Sequence, residues 1–175
     1  NPAAVDIARS STGNFLQPVG NPVFHVWKST TPARTSVIIH DVINFNVGNG
    51  YNNTNGSGNN FIGTRAGLTN ETGNNNNFFG YCAGQSSLSG SDNIFIGTNA
   101  GCASTTDGSV FIGKNAGRYN INGADNTLIG NKAGSLLTGD NTSNNTFIGS
   151  HAGAHATAGY NNTFIGLSSG AVNGT

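Results

Sequence analysis

Charge is scarce in this chain of 175 residues: Asp, Glu, Lys and Arg make up 8% of it, seven acidic against seven basic, for a formal net charge of zero. A neutral chain lacks the electrostatic footprint of a polyanion binder, so no nucleic-acid partner and no anionic membrane surface is expected. Apolar residues are also few, at 35%, which is too little for an ordinary globular core. No apolar run approaches the length of a membrane span, and the N-terminus lacks a basic-then-apolar leader. The chain is therefore expected to be soluble as written, with any secretion signal removed or never present. Two cysteines, Cys82 and Cys102, cannot define a disulfide framework and leave the redox compartment open.

What is abundant is Gly, at 27 residues, with Asn, Ser and Thr. That composition alone could describe a disordered chain, but the Phe and Ile residues recur in phase. The phrase NNTFIGSHAG, residues 144–153, returns as NNTFIGLSSG, SVFIGKNAG, NIFIGTNAG and NNFIGTRAG. Its first apolar residue falls at Phe61, Phe78, Phe95, Phe111, Leu128, Phe147 and Phe164, with spacings of 17, 17, 16, 17, 19 and 17 residues. Seven copies of N-x-F-I-G-x-x-A-G thus fill the last two thirds of the chain, and repetition of this kind points to a solenoid.

A unit near 17 residues is too short for a helical hairpin, and its glycines would cost a helix about 1 kcal/mol each. Short β segments fit instead. Adjacent residues in a strand point to opposite faces, so if the copies stack as coils about 4.8 Å apart, the Phe column takes one side and the next column the other. That second column is Ile62, Ile96, Ile112, Ile129, Ile148 and Ile165, with Phe79 completing it. A coil has one interior, so this stripe is expected to be covered by another chain: these residues are the expected interface of an oligomer. The Asn column two residues before each Phe, broken only by Ser109, is expected to hydrogen-bond along the coil axis. The Gly after Ile and the Gly after Ala are expected at corners with positive φ, so that Gly→Val at Gly113 or Gly149 disrupts the fold.

FIGTNAG and its sister copies resemble the left-handed parallel β-roll heads of trimeric autotransporter adhesins, and similar repeats in phage tail fibres and mosaic adhesive trimers. The resemblance covers residues 59–175 and is one of repeat grammar: a small apolar strand ending in Gly, then a second short strand of small residues. It implies three rolls side by side with their apolar stripes meeting at a threefold axis. Adhesin heads of this type have a shorter repeat, and Val or Ala where this chain has Phe.

The stretch before the repeat, 1–58, holds the only Trp and reads as a small β cap or tip. VIIHDVINFNV alternates, and Asn-Gly turn signals follow it. With Asn46 to Tyr51 reading N-x-G-x-x-Y, it resembles the front half of the complement-type, tumour-necrosis-factor-like jelly roll, whose later strands are missing here. An unrelated β cap is the alternative. Jelly rolls of that type are also trimers.

Signs of chemistry are few. Asp92, Asp107, Asp125 and Asp140 fall in variable segments of successive coils, and solubilising loop residues is the plain reading; a glycosidase would need a carboxylate pair across a cleft. Calcium-binding nonapeptides are absent. His25 and His40 lie in the cap, His151 and His155 near one corner, and neither pair has further ligands at suitable spacing, so neither a metal nor another cofactor is expected. Cys82 and Cys102 are three residues out of phase between copies, which favours free thiols over a bridge. Sequons such as Asn70-Glu71-Thr72 arise readily in an Asn- and Thr-rich repeat. Among aromatic residues Trp27, beside Lys28 and Arg34, is the expected ligand-binding patch, with a buried core position in the cap as the alternative.

The expectation is therefore an all-β, non-enzymatic chain: a parallel β-roll, or β-solenoid, of about seven coils over 59–175, homotrimeric, with a cap at 1–58. Its expected role is an extracellular fibre or adhesin segment, on a cell surface or virion, whose tip binds a cell-surface glycan or protein. The alternatives are an ice- or surface-binding solenoid and a polysaccharide-cleaving tail spike using Asp92 and Asp107.

Overall fold

The computed structural model describes residues 55–170, Asn52, and the backbone of the strand Asn44–Val47. Trp27, Lys28, Arg34, His25 and His40 lie outside these residues, as does the jelly-roll resemblance apart from that strand. The repeat lies within the unit Ile43–Thr175.

The repeat is an all-β parallel solenoid. Its strands are β1 (Asn44–Val47), β2 (Asn59–Ile62), β3 (Asn77–Phe79), β4 (Ile94–Ile96), β5 (Val110–Ile112), β6 (Thr127–Ile129), β7 (Thr146–Ile148) and β8 (Thr163–Ile165). They form one sheet in sequence order, every neighbour parallel. Each Phe position pairs with the next, Phe61 with Phe78 and so on to Phe147 with Phe164. β1 joins the sheet ahead of the first FIG phrase, pairing Val47 with Ile62, so strand pairing begins before residue 59.

The Phe side of each strand faces inward. Phe61, Phe78, Phe95, Phe111 and Leu128 are fully buried beside a buried column running from Ala66 to Ala152. Successive rings stack at 5.0, 4.8 and 4.6 Å from Phe61 to Phe111, within 11° of parallel, and Phe147 stacks on Phe164 at 4.7 Å. This spacing is the coil rise itself, so identical side chains in register supply a dispersion-rich core one residue wide. Leu128 interrupts the stack, and in that coil alone the position nine residues later carries a Leu, Leu137, where the other described coils hold Asn70, Ser87, Ser104, Asn120 and Ala156. The second Leu supplies volume that the missing ring leaves open.

Beyond the strand the chain does not form the second strand implied by the adhesin resemblance. Two successive turns carry it round, as in Ala116 N donating to Gly113 O at 3.2 Å and Asn120 N to Gly117 O at 3.0 Å. The reason is backbone handedness: Asn115 at φ 58° and Gly117 at φ 55° cannot be extended. A Cβ on Gly117 would lie 2.5 Å from the Phe111 ring, and one on Gly113, at φ 130°, would lie 2.5 Å from Gly130 O of the next coil. Both corner glycines are thus required by close approach as well as by φ.

The buried Asn column clamps coil to coil. Asn76 N donates to Asn59 Oδ1 at 2.9 Å, and Asn59 Nδ2 donates to Gly73 O at 2.7 Å, so one side chain holds the next coil at two backbone points. The same pair of bonds joins Asn76 to the coil of Asn93 and Asn126 to the coil of Asn145. The bonds run along the axis as expected, but mainly from side chain to backbone, which satisfies groups that a thin coil would otherwise bury unpaired. Ser109 accepts from Asn126 N at 3.2 Å but has no amide to donate onward. The carbonyl left over, Gly123 O, accepts instead from Asn120 and Asn126 Nδ2, each at 3.0 Å.

Candidate interaction face

The outer side of the sheet is the candidate site. Each three-residue core strand turns its middle side chain in and its two flanking side chains out. Phe61 is 0% exposed while its neighbour Ile62 is 37% exposed, and Ile96 and Ile148 match it at 39% and 36%. Ile112 and Ile129 are half-buried, and Ile165 on the last strand is exposed. All six Ile residues expected at an interface therefore stand in one rank along one face, with Phe79 among them.

A second rank lies two residues earlier on the same face: Asn60, Asn77, Ile94, Val110, Thr127, Thr146 and Thr163. Its two apolar members, Ile94 and Val110, widen the stripe at mid-solenoid and were missed from sequence. The signal was available, since residues two apart in a strand share a face. At one end of this rank Asn60 Nδ2 donates to Asn77 Oδ1 at 2.8 Å; at the other it carries three successive Thr.

The two edges of this face differ in charge, which the sequence reading also missed. Counting from the Phe position, Lys114 lies at the third residue after it, Arg65 and Lys132 at the fourth and Arg118 at the seventh. Asp107 lies four residues before it, Asp92 and Asp125 three, and Glu71 and Asp140 seven. Within four residues of a Phe position, then, Arg65, Lys114 and Lys132 follow their strands and Asp92, Asp107 and Asp125 precede theirs, while Arg118, Glu71 and Asp140 lie farther out between strands.

The carboxylates take part in hydrogen bonds between coils. Asp107 Oδ1 accepts from Ser91 N at 2.7 Å, Asp92 Oδ1 from Asn75 Nδ2 at 3.0 Å, and Asp140 Oδ1 from Asn122 Nδ2 at 3.3 Å. Each ties its own turn to the neighbouring coil. His151 shares a hydrogen bond with Ser150 Oγ at 2.9 Å, and no three His, Cys, Asp or Glu residues gather as a metal site among the described residues. Cys82 and Cys102 are free thiols. Burial pushes the Cys102 thiol up, the neighbouring Cys82 adds to this and Arg118 opposes it; the Arg118 guanidinium also lies 4.9 Å from the Tyr119 ring centre. No described helix is long and apolar enough to cross a membrane. Compared with models of protein families, with characterised proteins and with solved structures, the chain matches none.

Proposed function

We propose that the solenoid is the shaft of a trimeric extracellular fibre of adhesive type, on a cell surface or virion, and that the segment before it is a tip that binds a cell-surface glycan or protein. The observation that carries this reading is the rank of Ile residues running the length of one exposed face. Contiguous apolar stripes of that extent on a protein surface mark an interaction site, and a stripe that repeats coil by coil is matched by a copy of itself. The adhesive role and the extracellular setting rest on the resemblance of the repeat. A non-enzymatic role is in keeping with Asp92 and Asp107 acting as ties between coils; replacing both by Asn in a protein with polysaccharide-cleaving activity, and abolishing that activity, would overturn it.

The test is the solution mass by light scattering over a range of dilutions. Three times the 17.8 kDa chain mass is the expected result, followed by a glycan array with Trp27→Ala as the control for the tip. A monomer at all dilutions would instead favour a surface-binding solenoid. The observation that supports that second reading is the rank of Thr127, Thr146 and Thr163 in register beside Ile129, Ile148 and Ile165.

A further inference from the structure

We infer that the charged edges of the sheet fix the polarity of self-association: copies of this chain pack parallel, with the acidic edge of one against the basic edge of the next. The inference rests on the reading of the Ile face as the surface of a trimer and deepens it, because it names the residues that select the parallel arrangement a threefold axis requires, which an apolar stripe by itself does not select.

The geometry follows from strand direction. All strands of the sheet run the same way, so one edge of the outer face is made by residues that precede the strands and the other by residues that follow them. Exposed Asp92, Asp107 and Asp125 stand on the first edge, on three successive coils; exposed Arg65, Lys114 and Lys132 stand on the second. Rotating a copy about an assembly axis parallel to the solenoid, as in any closed parallel ring, brings the first edge of one copy beside the second edge of its neighbour. Closed rotation also keeps equivalent coils level. Lys114 then lies level with Asp107, since both flank Phe111, and Lys132 lies level with Asp125, since both flank Leu128. Turning a copy end over end instead places acidic edge on acidic edge and basic on basic, with Lys114 and Asp107 near the middle of the solenoid each meeting their own kind. Like charges juxtaposed at an interface select against that arrangement, while complementary ones fix register and orientation. Within a single copy Asp92 and Asp107 accept hydrogen bonds from neutral donors only, Asn75 Nδ2 and Ser91 N, so the parallel assembly brings them charges of opposite sign.

Oxidative cross-linking tests the polarity. In a Cys82→Ser, Cys102→Ser background, Ile62→Cys chains are expected to cross-link to one another. When they are mixed with Ile165→Cys chains, only like-with-like products are expected. Products joining Ile62→Cys to Ile165→Cys would overturn the parallel arrangement while leaving burial of the Ile face standing, whereas a monomer at every concentration would overturn both. The role of the edges is tested separately by Lys114→Glu with Lys132→Glu, expected to weaken association about tenfold at low salt. Adding Asp107→Lys and Asp125→Lys to the same chain is expected to restore association. Unchanged association in the first variant, or no recovery in the second with circular dichroism showing an intact sheet, would overturn the electrostatic part.

Discussion

At the fourth residue after each Phe position the backbone is left-handed whatever the side chain: Arg65, Cys82, Asn99, Asn115, Lys132, His151 and Ser168 all have φ between 53° and 62°. From Cys82 onward the preceding coil accepts this residue's N–H on a carbonyl, as Cys82 N donates to Thr64 O at 3.0 Å and Asn99 N to Tyr81 O at 2.8 Å. For residues other than Gly, Asn and Asp this conformation costs roughly 1 kcal/mol. Cys82→Asn is therefore expected to stabilise the fold by about 0.5–1 kcal/mol. It also extends by one coil the ladder in which Asn99 Nδ2 donates to Asn115 Oδ1 at 3.2 Å; a higher denaturation midpoint at unchanged m-value is the check. Gly113 is the opposite case. At φ 130°, with Gly130 O in the place a Cβ would take, Gly113→Val is expected to cost about 3 kcal/mol or more, read as loss of the cooperative unfolding transition at room temperature.

Between coils, two columns do most of the holding. In the apolar column, the Leu128 coil accommodates its smaller side chain by placing Leu137 in the core, and both side chains flank Gly134. Leu128→Phe alone is expected to overpack this coil and destabilise it by about 1–3 kcal/mol. Combined with Leu137→Ser, which restores the composition of the Phe95 coil, it is expected to recover most of the loss, giving a coupling energy measurable in a double-mutant cycle. In the polar column, Asn126 accepts from Asn145 N at 2.8 Å and donates to Thr142 O at 2.6 Å. Asn126→Ala leaves Asn145 N buried without its acceptor, while Thr142 O keeps the bond from Asn145 Nδ2 at 3.0 Å, and a loss of about 1–3 kcal/mol in chemical denaturation is the expected outcome.

For the molecule as a whole, neighbouring residues in one strand have opposite fates. Leu128 is fully buried and Ile129 lies on the outer face. Ile129→Lys is expected to leave monomer stability within about 0.5 kcal/mol while reducing the solution mass to that of one chain, because it places a charge in the middle of the apolar stripe. Leu128→Lys is expected to unfold the protein instead. Light scattering and circular dichroism on the two variants separate the face from the core.

The repeat period, the inward Phe column, the outward Ile rank and the corner glycines were all legible in the sequence, because a strand alternates faces residue by residue and only Gly fits where coil backbones nearly touch. Left-handed positions three residues before the Phe were also readable, being Gly58, Asn75, Asp92, Gly108, Asp125, Asn144 and Asn161. The left-handed Cys82 and Lys132 were not, since each donates its N–H to a coil about 17 residues away and neither residue type prefers that conformation by itself. The opposed charged edges became visible only once strand register placed residues of different coils on common lines. Period and face are local properties of an extended chain; which distant residues share an edge depends on how the coils close and stack, and that is decided by the tertiary structure.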